Sequence, residues 1–241
     1  MRIVLEHYRI LNTLVPLALN ERIYLGGGLE CPVGEGRYAL HLADSGPNPK
    51  EGELAFYWRD TATGVCLSQL SFYLVQGNTG PEIFVGGLQG PMGENSRDLI
   101  REATKACEGL RPKDVVMEAL LAFAAALDVQ RIVGVCRNNH VGRQRHTPRE
   151  IHCDYEGFWM ESGGEPLACG NVAMPVSQPR RDVMELPSKK RSAYRRKLAQ
   201  VESIQAMVRD WLATPCPVPA MTPAPVLTQV IAPADPEALA A

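Results

Sequence analysis

The chain has 241 residues, a formal net charge of −2 and 45% hydrophobic residues. That is enough for a sizeable core, and there is no global field to attract nucleic acid or membrane. Seven scattered cysteines without a Cys-x-x-Cys pair exclude a zinc ribbon or a disulfide scaffold and fit a reducing compartment. With Glu6, His7 and Arg9 interrupting the apolar residues near the start and no long apolar run elsewhere, the expected location is cytoplasmic.

Residues 1–20 read as one amphipathic helix, with Ile3, Val4, Tyr8, Leu11 and Leu14 on a stripe. A glycine-rich stretch, 26–36, precedes strand-like runs at 37–42, 52–58 and 65–75; the turn cluster 60–64 separates the last two. The run 83–88 adds a fourth strand to this antiparallel group. It ends in the glycine-rich turn Gly86-Gly-Leu-Gln-Gly-Pro-Met-Gly93, after which a helix opens at Asn95 or Ser96. Such a strand–turn–helix order leaves backbone N–H groups free to meet an anion or a carbonyl, and it also suits a plain tight connector.

Helices are expected over 96–107 and from Pro112 to about Asp128, then a buried strand at 131–136 and a further strand at 150–155. From Ser188 a long amphipathic helix carries Tyr194, Leu198, Val201, Ile204, Val208 and Trp211 on one side and a basic run, 189–197, in its first turns. The expected fold is α+β, a central mixed and largely antiparallel sheet with flanking helices. It forms one domain over 1–212, followed by a disordered Pro/Ala-rich tail at 213–241.

Several side chains carry chemistry. His140 follows the strand 131–136 and is a candidate general base, with Asn139 orienting a carbonyl. On a strand, His152 and Asp154 would face the same way; Asp154 would then orient His140, and Tyr155 would assist. The set His140, His152 and Asp154 also matches the ligands of a non-haem iron site, with His146 as another third ligand. Gln89 and Gly90 are candidates for holding a carbonyl or phosphate, Arg111 and Lys113 for an anion at a helix start. Phe158 and Trp159 read as core or pocket wall. Glu51 and Glu53 are acid/base candidates whose exposure on a polar face is the simpler expectation.

Lys50-Glu-Gly-Glu-Leu54, Gly86-Gly-Leu-Gln-Gly90, Ala103-Thr-Lys105, Gly109-Leu-Arg-Pro-Lys113, Asn139-His140, His152-Cys-Asp-Tyr155, Phe158-Trp159 and the basic segment 187–196 occur in this order. Together they resemble the VirK/YbjX family of bacterial proteins over roughly residues 5–212. The resemblance implies a link with virulence, envelope protein maturation and resistance to antimicrobial peptides, with relatives in microcin-maturation gene sets beside partner enzymes.

The order of elements is also that of acyl-CoA-dependent N-acyltransferases, although Met92 stands where their signature after Gln89 needs glycine. The leading expectation is therefore an acyl- or aminoacyl-transferase-like protein acting on a peptide or cell-envelope component, with acyl-CoA as donor. The alternatives are a non-catalytic accessory protein that binds a peptide or partner enzyme, and the iron-dependent oxygenase. Any membrane contact would be peripheral, through 189–197.

Overall fold

A computed structural model describes residues 2–33, 36–143 and 153–213. The expected tail falls outside them, apart from Ala213, which ends a helix. So do His146 and His152.

Eight strands form one sheet in the order β1-β2-β3-β4-β5-β6-β8-β7. They are β1 (Leu29–Val33), β2 (Tyr38–Asp44), β3 (Leu54–Asp60), β4 (Cys66–Gln76), β5 (Pro81–Gln89), β6 (Arg131–Gly134), β7 (Glu165–Pro166) and β8 (Val172–Met174). Every neighbouring pair is antiparallel except β5 and β6. That parallel pair needs a long crossover, and α3 (Ser96–Ala106) and α4 (Pro112–Ala126) supply it.

The period of two along the strands sorts the faces. Leu40 and Leu42, Leu54, Phe56 and Trp58, Leu70, Phe72 and Leu74, and Ile83 and Val85 all enter the large core. The helices cover that core: α1 (Arg2–Leu14) lies on β4, α2 (Leu17–Tyr24) on β2, and α4 on β3 and β4. On α4, Phe123 meets Phe56 and Phe72 edge-on. The opposite face is small and polar, with Ala43, Ala55 and Tyr57 as its only apolar cluster among the described residues. That face carries the site.

The long helix appears as α6 (Ser188–Ala213), which packs on α4 through Val201, Ile204 and Val208. Other expectations are corrected. The single N-terminal helix is two, because Pro16 fixes its own φ and pushes Val15 out of the helical region. The glycine-rich stretch contains β1, an edge strand with Pro32 within it. The strand expected at 150–155 does not form in its described part: Tyr155 opens α5 (Tyr155–Glu161), and Asp154 caps it by accepting from the Gly157 N–H at 3.0 Å. Among the described residues no helix is long and apolar enough to cross a membrane.

Candidate functional site

Strand β5 pairs with two neighbours over different lengths. Against β4 it runs to its end at Gln89, but against β6 it stops at Val85, opposite Gly134. Beyond that point the sheet is split. A bulge falls at the split: Ser71 faces Gly87 while Phe72 faces Val85, so Gly86 is the extra residue.

The loop between β2 and β3 crosses the bulge on the polar face. Gln69 on β4 donates to the Ser45 carbonyl at 3.0 Å, and the Tyr73 hydroxyl donates to the Pro49 carbonyl at 3.2 Å. The Ser45 hydroxyl in turn donates to the Gly52 carbonyl. So anchored, the loop presses Glu51 onto two glycines. A Cβ on Gly86 would lie 2.2 Å from the Glu51 carbonyl oxygen, and one on Gly87 would lie 2.0 Å from the Glu51 carboxylate. Both positions therefore need glycine for close approach.

Helix α5 plugs the other side of the split. The Tyr155 hydroxyl accepts from the Leu88 N–H at 3.1 Å and donates to the Leu88 carbonyl at 3.3 Å. Both are backbone groups that β6 no longer reaches. Burial pushes the Tyr155 phenol well above its usual range. One turn on, the Trp159 indole donates to the Val135 carbonyl at 2.8 Å, and its ring covers Gly134.

His140 lies past β6, after a short 3₁₀ turn at Arg137–Asn139. Its ring stacks on Tyr155 with centroids 5.4 Å apart. The Gly142 N–H donates to Nδ1 at 3.0 Å, so the hydrogen of the neutral ring sits on Nε2. Nε2 faces Glu51 Oε1 at 3.6 Å. The other carboxylate oxygen, Oε2, accepts from Gln89 Nε2 at 2.8 Å. Glu51, Gln89 and His140 thus form one cluster built from three segments far apart in sequence.

The cluster borders a cavity of about 810 Å³ that Lys50, Leu88, Gly90, Met92, Ser96, Cys153 and Tyr155 also line. Such a volume suits a small-molecule or cofactor fragment. Ser96 places the start of α3 at its rim. Burial raises the Cys153 thiol above its ordinary pKa, which weighs against a thiolate there.

Of the expected site residues, Gln89, Gly90, His140 and Tyr155 come together. The others do not. Asp154 caps α5 instead of orienting His140, and Glu51 occupies the place beside the imidazole. Asn139 ties its loop to the next one, donating to Asn171 Oδ1 and the Cys169 carbonyl, both at 2.9 Å. Arg111 is held by Asp114 at 2.8 Å and Glu161 at 2.9 Å. Lys113 sits 4.3 Å above the Phe158 ring. Trp159 is fully buried and its indole N–H is engaged by backbone, so it is core. Of the pair that motivated an iron site, Asp154 lies in a helix cap and in no strand, and His152 falls outside the described residues; among the described residues no group of three or more His, Cys, Asp or Glu able to hold a metal occurs.

Glu51 is the residue that sequence reasoning undervalued. The signal for it was the Gly86-Gly87 pair, since two adjacent glycines late in a strand mark a place where another backbone comes close.

These features define a mixed α+β protein with a split sheet and a carboxylate–amide–imidazole cluster at the split. The chain belongs to the family described as a protein of unknown function (DUF535), whose model matches residues 1–210, and the VirK/YbjX resemblance read from the sequence holds. It is 35% identical over 207 residues to the uncharacterized protein YbjX of Escherichia coli, a match covering 83% of this chain and 62% of that protein. It is 24% identical over 175 residues to an uncharacterized protein of Haemophilus influenzae, covering 73% of this chain and 58% of the relative. The chain therefore spans less than two thirds of either relative. It is also 33% identical over 98 residues to the membrane protein LapB of Mannheimia haemolytica, 41% of this chain and 42% of that one. Among solved structures, a cAMP-binding acyltransferase from Mycobacterium smegmatis superposes with a TM-score of 0.35 at 11% identity, covering 84% of this chain and 60% of the other. A likeness of that size carries no inference about activity.

Proposed function

We propose that the cleft transfers an acyl or aminoacyl group from a coenzyme A-type donor to an amine on a peptide or envelope component. Glu51 takes the proton in this reading. The observation that carries it is the cluster itself: a carboxylate beside a cavity, fixed by Gln89 on one oxygen and facing the His140 Nε2 with the other.

The imidazole cannot act as the base in this arrangement without rearranging, because Nδ1 already accepts from Gly142 and Nε2 carries the hydrogen. In this reading its Nε2–H, 3.6 Å from Glu51 Oε1, orients the carboxylate electrostatically and takes no proton. Glu51, acceptor-only when ionised, removes a proton from the incoming ammonium. The neutral amine nitrogen then attacks the acyl carbon, the carbon–sulfur bond breaks, and the leaving thiolate takes up the second proton that the nitrogen sheds as the amide forms. Lys50 and the first turn of α3, both at the cavity rim, suit the donor's phosphates.

Thermal unfolding in the presence of coenzyme A and acetyl-CoA tests the reading. Ligand at about a hundred times its dissociation constant adds about 2.7 kcal/mol to stability. The Glu51→Gln variant should keep that stabilisation and lose transfer by about 10²–10⁴-fold. No stabilisation at millimolar ligand would overturn the proposal.

A second reading, an accessory protein that binds an acidic peptide, partner enzyme or anionic surface, draws support from α6. Lys189, Lys190 and Arg195 are exposed along its first turns.

A further inference from the structure

A second cavity of about 340 Å³ adjoins the first. The two share Pro47, Asn48, Gln89, Gly90, Pro91 and Met92 as walls, so they meet across the segment that ends β5. Their chemistry differs. The first holds Glu51, Lys50 and His140; the second adds Val65, Cys66 and Gln69 instead.

Each amide group bordering the second cavity has at least one N–H engaged inside the protein. Asn48 Nδ2 donates to Gln69 Oε1 at 3.2 Å. Gln69 Nε2 donates to the Ser45 carbonyl and to Ser71 Oγ, both at 3.0 Å. Gln89 Nε2 is engaged by Glu51. Beside these amides, the walls are the hydrocarbon of Pro47, Val65, Pro91 and Met92 with the Cys66 sulfur. Met92 is 95% exposed, a large apolar side chain left in water at the junction.

We infer that the site takes an amphipathic substrate whose polar reacting end lies at Glu51 and whose aliphatic chain lies in the second cavity. The inference rests on the transfer reading for the identity of the reacting end alone. The chain can arrive on either reactant, as a fatty acyl group on the donor or as an alkyl group on the acceptor amine. Both present the same hydrocarbon to Val65, Cys66 and Met92.

Binding of acetyl-CoA, octanoyl-CoA, ethylamine and octylamine to the full chain, measured by calorimetry, decides between these sources. A buried methylene favours binding about fourfold, and in a partly open groove the octyl member of one pair should bind tenfold tighter or more. Cys66→Phe, which narrows the second cavity, and Val65→Asp, which puts a charge on a wall that the first cavity lacks, should each abolish that preference and leave the short member of the pair unchanged. Equal binding of short and long members in both pairs would overturn the inference, and so would a chain-length preference that survives both variants. Failure of the transfer reading looks different: neither acyl-CoA binds, whatever its length, while the preference for octylamine persists.

Discussion

Gln89 donates to Glu51 across 2.8 Å, joining the last residue of β5 to the loop that precedes β3. The contact exists because Gly86 and Gly87 let that loop lie on the strand, and the first prediction tests this. Alanine at Gly86 would meet backbone, which cannot swing away, whereas alanine at Gly87 would chiefly meet the end of a flexible side chain. Chemical denaturation should show Gly86→Ala destabilised by about 1–3 kcal/mol and Gly87→Ala by less. Equal stability of Gly86→Ala and the parent chain would mean that the loop does not rest on the bulge.

Tyr155→Phe removes one hydroxyl and strands two backbone groups, the Leu88 N–H and carbonyl. Burying them unsatisfied should cost about 1–3 kcal/mol, read as a lower urea midpoint with an unchanged slope. A variant as stable as the parent would show that another donor and acceptor serve Leu88.

His7 makes stability depend on pH. The ring is fully buried, accepts from the Leu74 N–H at 2.9 Å, and has Tyr24 at 2.9 Å on its other nitrogen. Burial lowers its pKa from 6.5 to about 4. The unfolded chain binds the proton first as pH falls, so this contribution is complete above about 6.5 and is lost toward 4. The loss amounts to about 3 kcal/mol. Against His7→Gln, the parent chain should lose the larger share of its stability between those pH values. Parallel pH profiles would count against a neutral buried ring.

Glu118 on α4 is buried and accepts from Arg180 at 2.6 Å and from Gln205 of α6 at 2.9 Å. Arg180→Ala should cost about 1–3 kcal/mol, since a hydrogen bond to a buried charge is lost but Gln205 still serves the carboxylate. Adding Gln205→Ala should cost more than the sum of the two single changes. Additive losses would mean that the two donors act independently.

Much of the scaffold was legible in the sequence. Strands β2 to β6 follow from alternating or continuous apolar runs punctuated by glycine and polar turns, and α3, α4 and α6 follow from helical stripes and from Pro112 at a first turn. The failures have local causes. Glu150 to Tyr155 carries aromatic and β-branched residues that favour a strand, yet Asp154 followed by Gly157 is a capping arrangement, and the cap won at Tyr155. Strands β7 and β8 are too short to carry a period of two. In the site, Gln89 and His140 stood out by their positions after strands. Glu51 did not, because what distinguishes it is a contact with glycines some 35 residues later; the Gly86-Gly87 pair marks a close approach without saying which residue makes it.

By giving and receiving at a single residue, the Tyr155 hydroxyl does for Leu88 what a missing neighbour strand would otherwise do. The exposed rung of the ladder is thereby closed to an extended peptide seeking to dock by main-chain pairing. At Leu88, therefore, a visitor to this crevice meets no free main-chain rung, and recognition there falls to its own functional groups rather than to its backbone.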